Sequence, residues 1–257
     1  MKLWIAGVLL LPAALAQNAP NFEFHSGFWL NLHHYLYEQA SPGGAVASDT
    51  AEWRRAVDYY RREMVNRDML SREMEAINNS LADRETAASL RDSGLPSELI
   101  AILEAAAPEY RQRWWPVHDA TNWAGAYTTL EPTHITISST VRANAGQAAL
   151  EILFHEASHS LISGVFDALS REAREQGKLL RQRDLWHALL FYTAGELTSR
   201  HLPGYTPYAI ANGLYDRAWP GALPVFNQDW KPYLDGTIDR ATAIRRIVEH
   251  HSVAPAN

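Results

Sequence analysis

The chain has 257 residues, of which 20% are charged and 11% aromatic, with no cysteine and a formal net charge of −6. Without cysteine, disulfides, thiol catalysis and thiol-linked lipid are excluded. The acidic balance and the lack of a long basic run argue against nucleic acid as a partner.

The first 16 residues read as a secretory signal peptide. Lys2 gives a minimal positive start, Leu3 to Leu15 is apolar, and Ala14-Leu15-Ala16 is a small-x-small cleavage signature. The apolar run is shorter than the ~20 residues a membrane span needs. The expectation is therefore a secreted or periplasmic protein with no stable membrane span, the alternative being an uncleaved anchor. Residues 17–257 carry no internal repeat and no long linker, so a single domain is expected, with a possible subdomain division near 164. About 240 residues suffice for one large core or two modest ones.

From residue 28 onward the pattern is mainly helical. Phe28 to Gln39 is an aromatic-rich helix candidate. Asp49 with Glu52 resembles a capping box, opening a helix with Trp53, Ala56, Val57, Tyr60 and Met64 on one stripe. Further helices are predicted over about 70–92, 96–107, 110–115, 166–176, 207–216 and 238–250, with prolines punctuating the first half. One strand is clear, His134-Ile135-Thr136-Ile137-Ser138, alternating and β-branched. Together these predict a predominantly α-helical α+β fold with a small sheet.

The most informative segment is His155-Glu156-Ala157-Ser158-His159. A random chain of this composition would contain about 0.03 copies of His-Glu-x-x-His. The run 148–154 enters the motif without Pro or Gly. Asn144 with Gln147 resembles a capping box, and Gly164 is a C-terminal stop signal, so a helix over about 144–163 is predicted. Residues i and i+4 lie one turn apart on one helix face, so both imidazoles can reach one metal ion. Glu156, about 100° around the helix, is placed to act on metal-activated water as general base.

A zinc hydrolase site takes three protein ligands and keeps one open position. A metzincin arrangement would put the third histidine at Val165 and a glycine at Ile162, so that class is excluded. Downstream, Leu185 to Arg200 reads as a second apolar helix with a single interior acid, Glu196. A carboxylate there is costly to bury unless a cation or metal compensates it, and Gly195 beside it would admit a neighbouring helix. Glu196 is thus the expected third ligand. His187 is the rival. It precedes Glu196 by nine residues, about 180° around an ideal helix, so the two do not readily face one ion. It is expected to be a hydrogen-bonded core histidine or a partner to a ligand.

His155, Glu156 and His159, followed on a later helix by Glu196, resemble the gluzincin group of zinc metallopeptidases, over roughly residues 130–200. The resemblance implies a zincin-like domain with Zn2+ held by His155, His159 and Glu196 between the 144–163 and 183–201 helices. It also implies Glu156 as base and proton shuttle, and a peptide or protein substrate pairing with an edge strand at 134–139. The chain departs from the best-known gluzincin pattern at Arg200, where an Asp would follow the third ligand by four residues.

Acyl transfer at such a site calls for an oxyanion donor besides zinc. Tyr192, His201, Tyr205 and Tyr208 are candidates, and Tyr208 is the one selected. Two other functions are open: a non-enzymatic exported interaction protein on a metal-stabilised scaffold, and a di-iron carboxylate helical protein. The latter needs a second Glu-x-x-His helix, and the only other match, Glu131-Pro132-Thr133-His134, precedes the strand. Two aromatic clusters, around His33-His34 and from Trp114 to Trp123, are cleft-lining or packing candidates.

Overall fold

The computed structural model describes residues 22–253, apart from 65, 81, 83–89, 116–124 and 139–140. The expected signal peptide lies outside the described residues, as does the Pro116–Trp123 part of the second aromatic cluster. No helix among the described residues is long and apolar enough to cross a membrane.

The first half forms a helical layer of α1 (Phe28–Ala40), α2 (Ala51–Glu63), α3 (Arg67–Asn79) and α4 (Ser97–Arg113). The predicted α2 stripe of Trp53, Ala56, Val57 and Tyr60 is buried. Its N-cap is Thr50, whose side chain accepts from Trp53 N, while Asp49 pairs with Arg54 at 2.6 Å. Pro108 was expected to separate two helices, but α4 runs through it. Leu99, Ile102, Leu103, Ala106 and Tyr110 are buried on both sides of the proline. Burying a large apolar side chain stabilises by ~1.5–3 kcal/mol, so several together outweigh the ~3 kcal/mol of an interior proline. The predicted 70–92 helix starts earlier, where Asn66 caps α3, and stops at Asn79; Leu90–Asp92 is a separate 3₁₀ turn.

His33 and His34 are fully buried in this layer. His33 Nδ1 bonds the Tyr60 hydroxyl and Nε2 lies 3.2 Å from Glu73. His34 Nε2 is 3.1 Å from the Tyr127 hydroxyl and 3.8 Å from Glu38. Burial first, then the nearby His33, Arg67 and His134, lower the pKa of His34 from 6.5 to about 3. It is therefore neutral in the fold and charged in the unfolded chain below pH 6.5. The unfolded state binds the extra proton, so the stability His34 contributes is present above pH 6.5 and is lost as pH falls toward 3. The expected slope approaches ~1.4 kcal/mol per pH unit. His34→Gln should flatten the acid side of a urea-midpoint profile by about 2 kcal/mol between pH 6.5 and 5. An unchanged profile would mean that this ring is protonated in the fold.

A hairpin of β1 (Ala126–Leu130) and β2 (Thr133–Ile137) follows, antiparallel, with Leu130 opposite Thr133. The predicted strand is β2; β1 was not expected. The chain then forms α5 (Gln147–Ser158), a 3₁₀ turn at His159–Leu161, α6 (Ile162–Glu175), β3 (Leu179–Leu180) and α7 (Leu185–His201). Short helices follow: α8 (Tyr208–Ala211), α9 (Leu214–Ala218) and α10 (Ala222–Val225). A π-helical turn at Phe226–Trp230 leads into α11 (Lys231–Leu234), α12 (Arg240–His250) and β4 (Ser252–Val253), which pairs with β3. The architecture is predominantly α-helical α+β, with two small two-stranded sheets among the described residues.

Among the described residues, buried apolar side chains form two clusters, one drawn from Phe28 to Tyr110 and one from Ile152 to Val248. The hairpin lies between them in sequence, and residue 164 falls inside the second. Gly164, expected to end the motif helix, lies within α6; the chain tightens instead at His159.

Candidate metal centre

Asn144 ties the start of the motif helix to the hairpin. Its amide donates to Gly125 O at 2.9 Å and Ser138 O at 3.2 Å, just outside the two strands. Asn144 was expected as the helix cap; Gly146 takes that place with φ of 64°, a conformation open to glycine at little cost. At the other end, Ser158 Oγ donates to His155 O at 2.6 Å and Ser160 Oγ to Ala157 O at 2.8 Å. These bonds add side-chain donors to carbonyls at the turn where the α-helix gives way to 3₁₀ geometry.

Helix α7 packs along α5, and a close approach at Gly195 permits it. A Cβ there would lie 2.7 Å from Pro207 Cβ and 3.0 Å from Glu151 Oε1. Gly195→Ala is expected to lower stability by about 1–3 kcal/mol through overpacking. Set against the ~1 kcal/mol that alanine gains in helix propensity, the net loss reaches up to ~2 kcal/mol. Chemical denaturation of the two proteins measures the difference, and a stabilised variant would contradict the close approach.

The packing brings His155, His159 and His187 together. One ring nitrogen from each lies within 4.8 Å of the others. The ring centroids form a near-regular triangle of 5.1, 5.0 and 5.1 Å. His155 Nε2 and His187 Nε2 are 3.1 Å apart. Two imidazole nitrogens bound to one tetrahedral zinc at ~2.0–2.1 Å would be roughly 3.3 Å apart, so this spacing fits a shared ion. Burial lowers the pKa of all three rings. His187 falls to about 4, with further lowering from His159; His155 falls well below its usual value, helped by His187 and His159. Neutral imidazoles present the lone pairs a metal requires.

Glu156 borders this group. Its Oε2 is 3.8 Å from His159 Nε2, and Thr128 Oγ1 of β1 lies 2.8 Å from both that oxygen and the Glu156 carbonyl. Burial raises its pKa to about 7, against the lowering effects of Thr128 and of Arg67. The Arg67 guanidinium sits 4.1 Å above the ring of Tyr127, the β1 neighbour of Thr128.

Glu196 lies elsewhere. It pairs with Lys231 and, at 3.4 Å, with Arg200, which also bonds Asp235 at 2.6 Å. Helix phase explains the separation: with His187 turned to α5, a residue nine positions on faces nearly the opposite way. The compensating cation expected for Glu196 is Lys231. Tyr208 stacks on Phe191 (6.1 Å, 13°), which in turn stacks on His155 (3.5 Å, 18°). Tyr192 donates to Asn227 and Tyr205 to Glu151.

Sequence reasoning passed over Thr128, Phe191 and Glu151. The last had a signal: Glu151 is the lone acid of the apolar run 148–154, the same feature that singled out Glu196. It is fully buried, and its Oε2 accepts from Tyr205 Oη at 2.7 Å and Tyr208 N at 2.8 Å. Comparison with protein-family models, curated proteins and solved structures finds no significant match.

Proposed function

We propose that this chain is an exported zinc-dependent hydrolase acting on peptides, with His155, His159 and His187 as metal ligands and Glu156 as general base. The observation that carries the reading is the three-imidazole group with a buried carboxylate beside it. A group made only of imidazoles suits zinc better than a carboxylate-bridged di-iron pair. Three protein ligands would leave the open position that distinguishes catalytic from structural zinc. Zinc bound there supplies a water of pKa ~7 and polarisation of the scissile carbonyl.

Glu156 takes the proton of the attacking water and passes it to the leaving amine. Thr128 fixes the carboxylate, and the low-polarity surroundings keep its basicity near neutral. The other edge of β1 from β2 carries no strand partner among the described residues. Thr128 brings this strand to Glu156, so an extended peptide pairing with that edge would pass the base. In this reading substrate alignment would fall on β1 rather than on residues 134–139, the edge that the resemblance implies. Backbone pairing of this kind tolerates varied side chains and favours peptide over other acyl substrates.

The test is hydrolysis of a fluorogenic peptide library by the mature chain, after chelation and after zinc is restored. Cleavage that disappears with chelator and returns with zinc supports the proposal. Zinc bound at one equivalent with no cleavage of any peptide would replace it by the interaction-protein reading.

A further inference from the structure

A metal-ligating histidine ordinarily donates its second ring nitrogen to a carboxylate, carbonyl or water, which fixes the ring plane. For His155 no described protein group takes that role. Its Nε2 faces His187, while Nδ1 is buried and meets no hydrogen-bond partner among the described residues. What does hold the ring is Phe191, stacked on it at 3.5 Å and 18°. Phe191 is stacked in turn by Tyr208 at 6.1 Å and 13°. Tyr208 is pinned through its backbone: its N donates at 2.8 Å to Glu151, one turn before His155 on the same helix. Tyr205 Oη donates to that same oxygen at 2.7 Å.

We propose that His155 is oriented for metal binding by an aromatic stack, Phe191 then Tyr208, locked in place by the buried Glu151 rather than by a hydrogen bond to its own ring. The loop closes on one helix: Glu151 holds Tyr208, Tyr208 holds Phe191, and Phe191 holds His155. Phe191 also belongs to α7, four residues after His187, so the same ring sets the spacing between the two helices that supply the ligands. Glu151, Phe191 and Tyr208 are positioning residues. This assignment rests on the zinc reading of the three-histidine group.

The experiment is zinc affinity of the metal-free chain, by competition with a chromophoric chelator, with the unfolding midpoint recorded on each sample. Phe191→Leu and Tyr208→Leu should weaken zinc binding by about 10–100-fold, the usual effect of removing a group that orients a ligand. Tyr208→Phe keeps the ring and should bind as wild type. Glu151→Ala should lose about tenfold or more, whereas Glu151→Gln keeps an acceptor for Tyr208 N and Tyr205 Oη and should recover most of it. Tyr208 is only half-buried, so its leucine variant tests the stack even if Phe191→Leu fails to fold. Wild-type affinity in folded Tyr208→Leu and Glu151→Ala would overturn the stack while leaving the zinc site standing. No zinc bound by the wild type would overturn the site itself, and this inference with it.

Discussion

Zinc affinity is expected to fall by at least about 100-fold in His187→Ala and to stay within a few-fold of wild type in Glu196→Ala. Structural zinc contributes ~10–16 kcal/mol over four ligands, so one ligand is worth roughly 3 kcal/mol, or about two orders of magnitude. His187 presents Nε2 at 3.1 Å from His155 Nε2, with burial holding it neutral. Glu196 meets Lys231 and Arg200 instead. Removing it leaves Lys231 without its nearest anion, a partly exposed pair of modest worth. Isothermal titration of zinc into the two variants separates the assignments. The reverse order, with zinc lost from Glu196→Ala and kept by His187→Ala, would require α7 to turn by half a revolution.

Glu156→Gln is expected to lower kcat on any cleaved peptide by about 10²–10⁴-fold, the usual range for a general base. Zinc should be retained. The substitution is nearly isosteric and the glutamine oxygen can still accept from Thr128 Oγ1, which lies 2.8 Å from the present carboxylate. What disappears is the basic oxygen. An unfolded variant would show as a shifted thermal midpoint, and a KM effect without a kcat effect would point to substrate binding. Turnover at the wild-type level would remove Glu156 from the proton-transfer role.

Much of the fold could be read from periodicity. The stripe of α2 and the aromatic α1 each carried a pattern that burial reproduces, whereas the predicted 144–163 helix divides at His159. The departures came where tertiary packing overrides local signals. Pro108 sits within a helix whose flanks are both buried, and Gly164 is absorbed into α6 because the chain had already tightened at His159. The β1 strand was missed although Tyr127, Thr128 and Thr129 favour extended structure and only two residues separate it from β2.

The site divides in the same way. His155, Glu156 and His159 are close in sequence, and a helix alone brings them together. The choice between His187 and Glu196 depended on which face of α7 turns toward α5, and an apolar helix with little amphipathic contrast does not announce that face. Lys231, the cation that compensates Glu196, comes from a helix 35 residues further on, beyond any local pattern. Glu151 satisfied the same lone-acid criterion, and its partners Tyr205 and the Tyr208 amide are equally remote in the chain.

X-ray absorption at the zinc edge of the zinc-reconstituted protein tests the three-imidazole centre most directly. One equivalent of zinc should show three histidine nitrogens at ~2.0–2.1 Å, with a further oxygen from solvent completing four-coordination. A spectrum with two imidazoles and a protein carboxylate would return Glu196 or another acid to the ligand set. No zinc retained after reconstitution would contradict the account at its root.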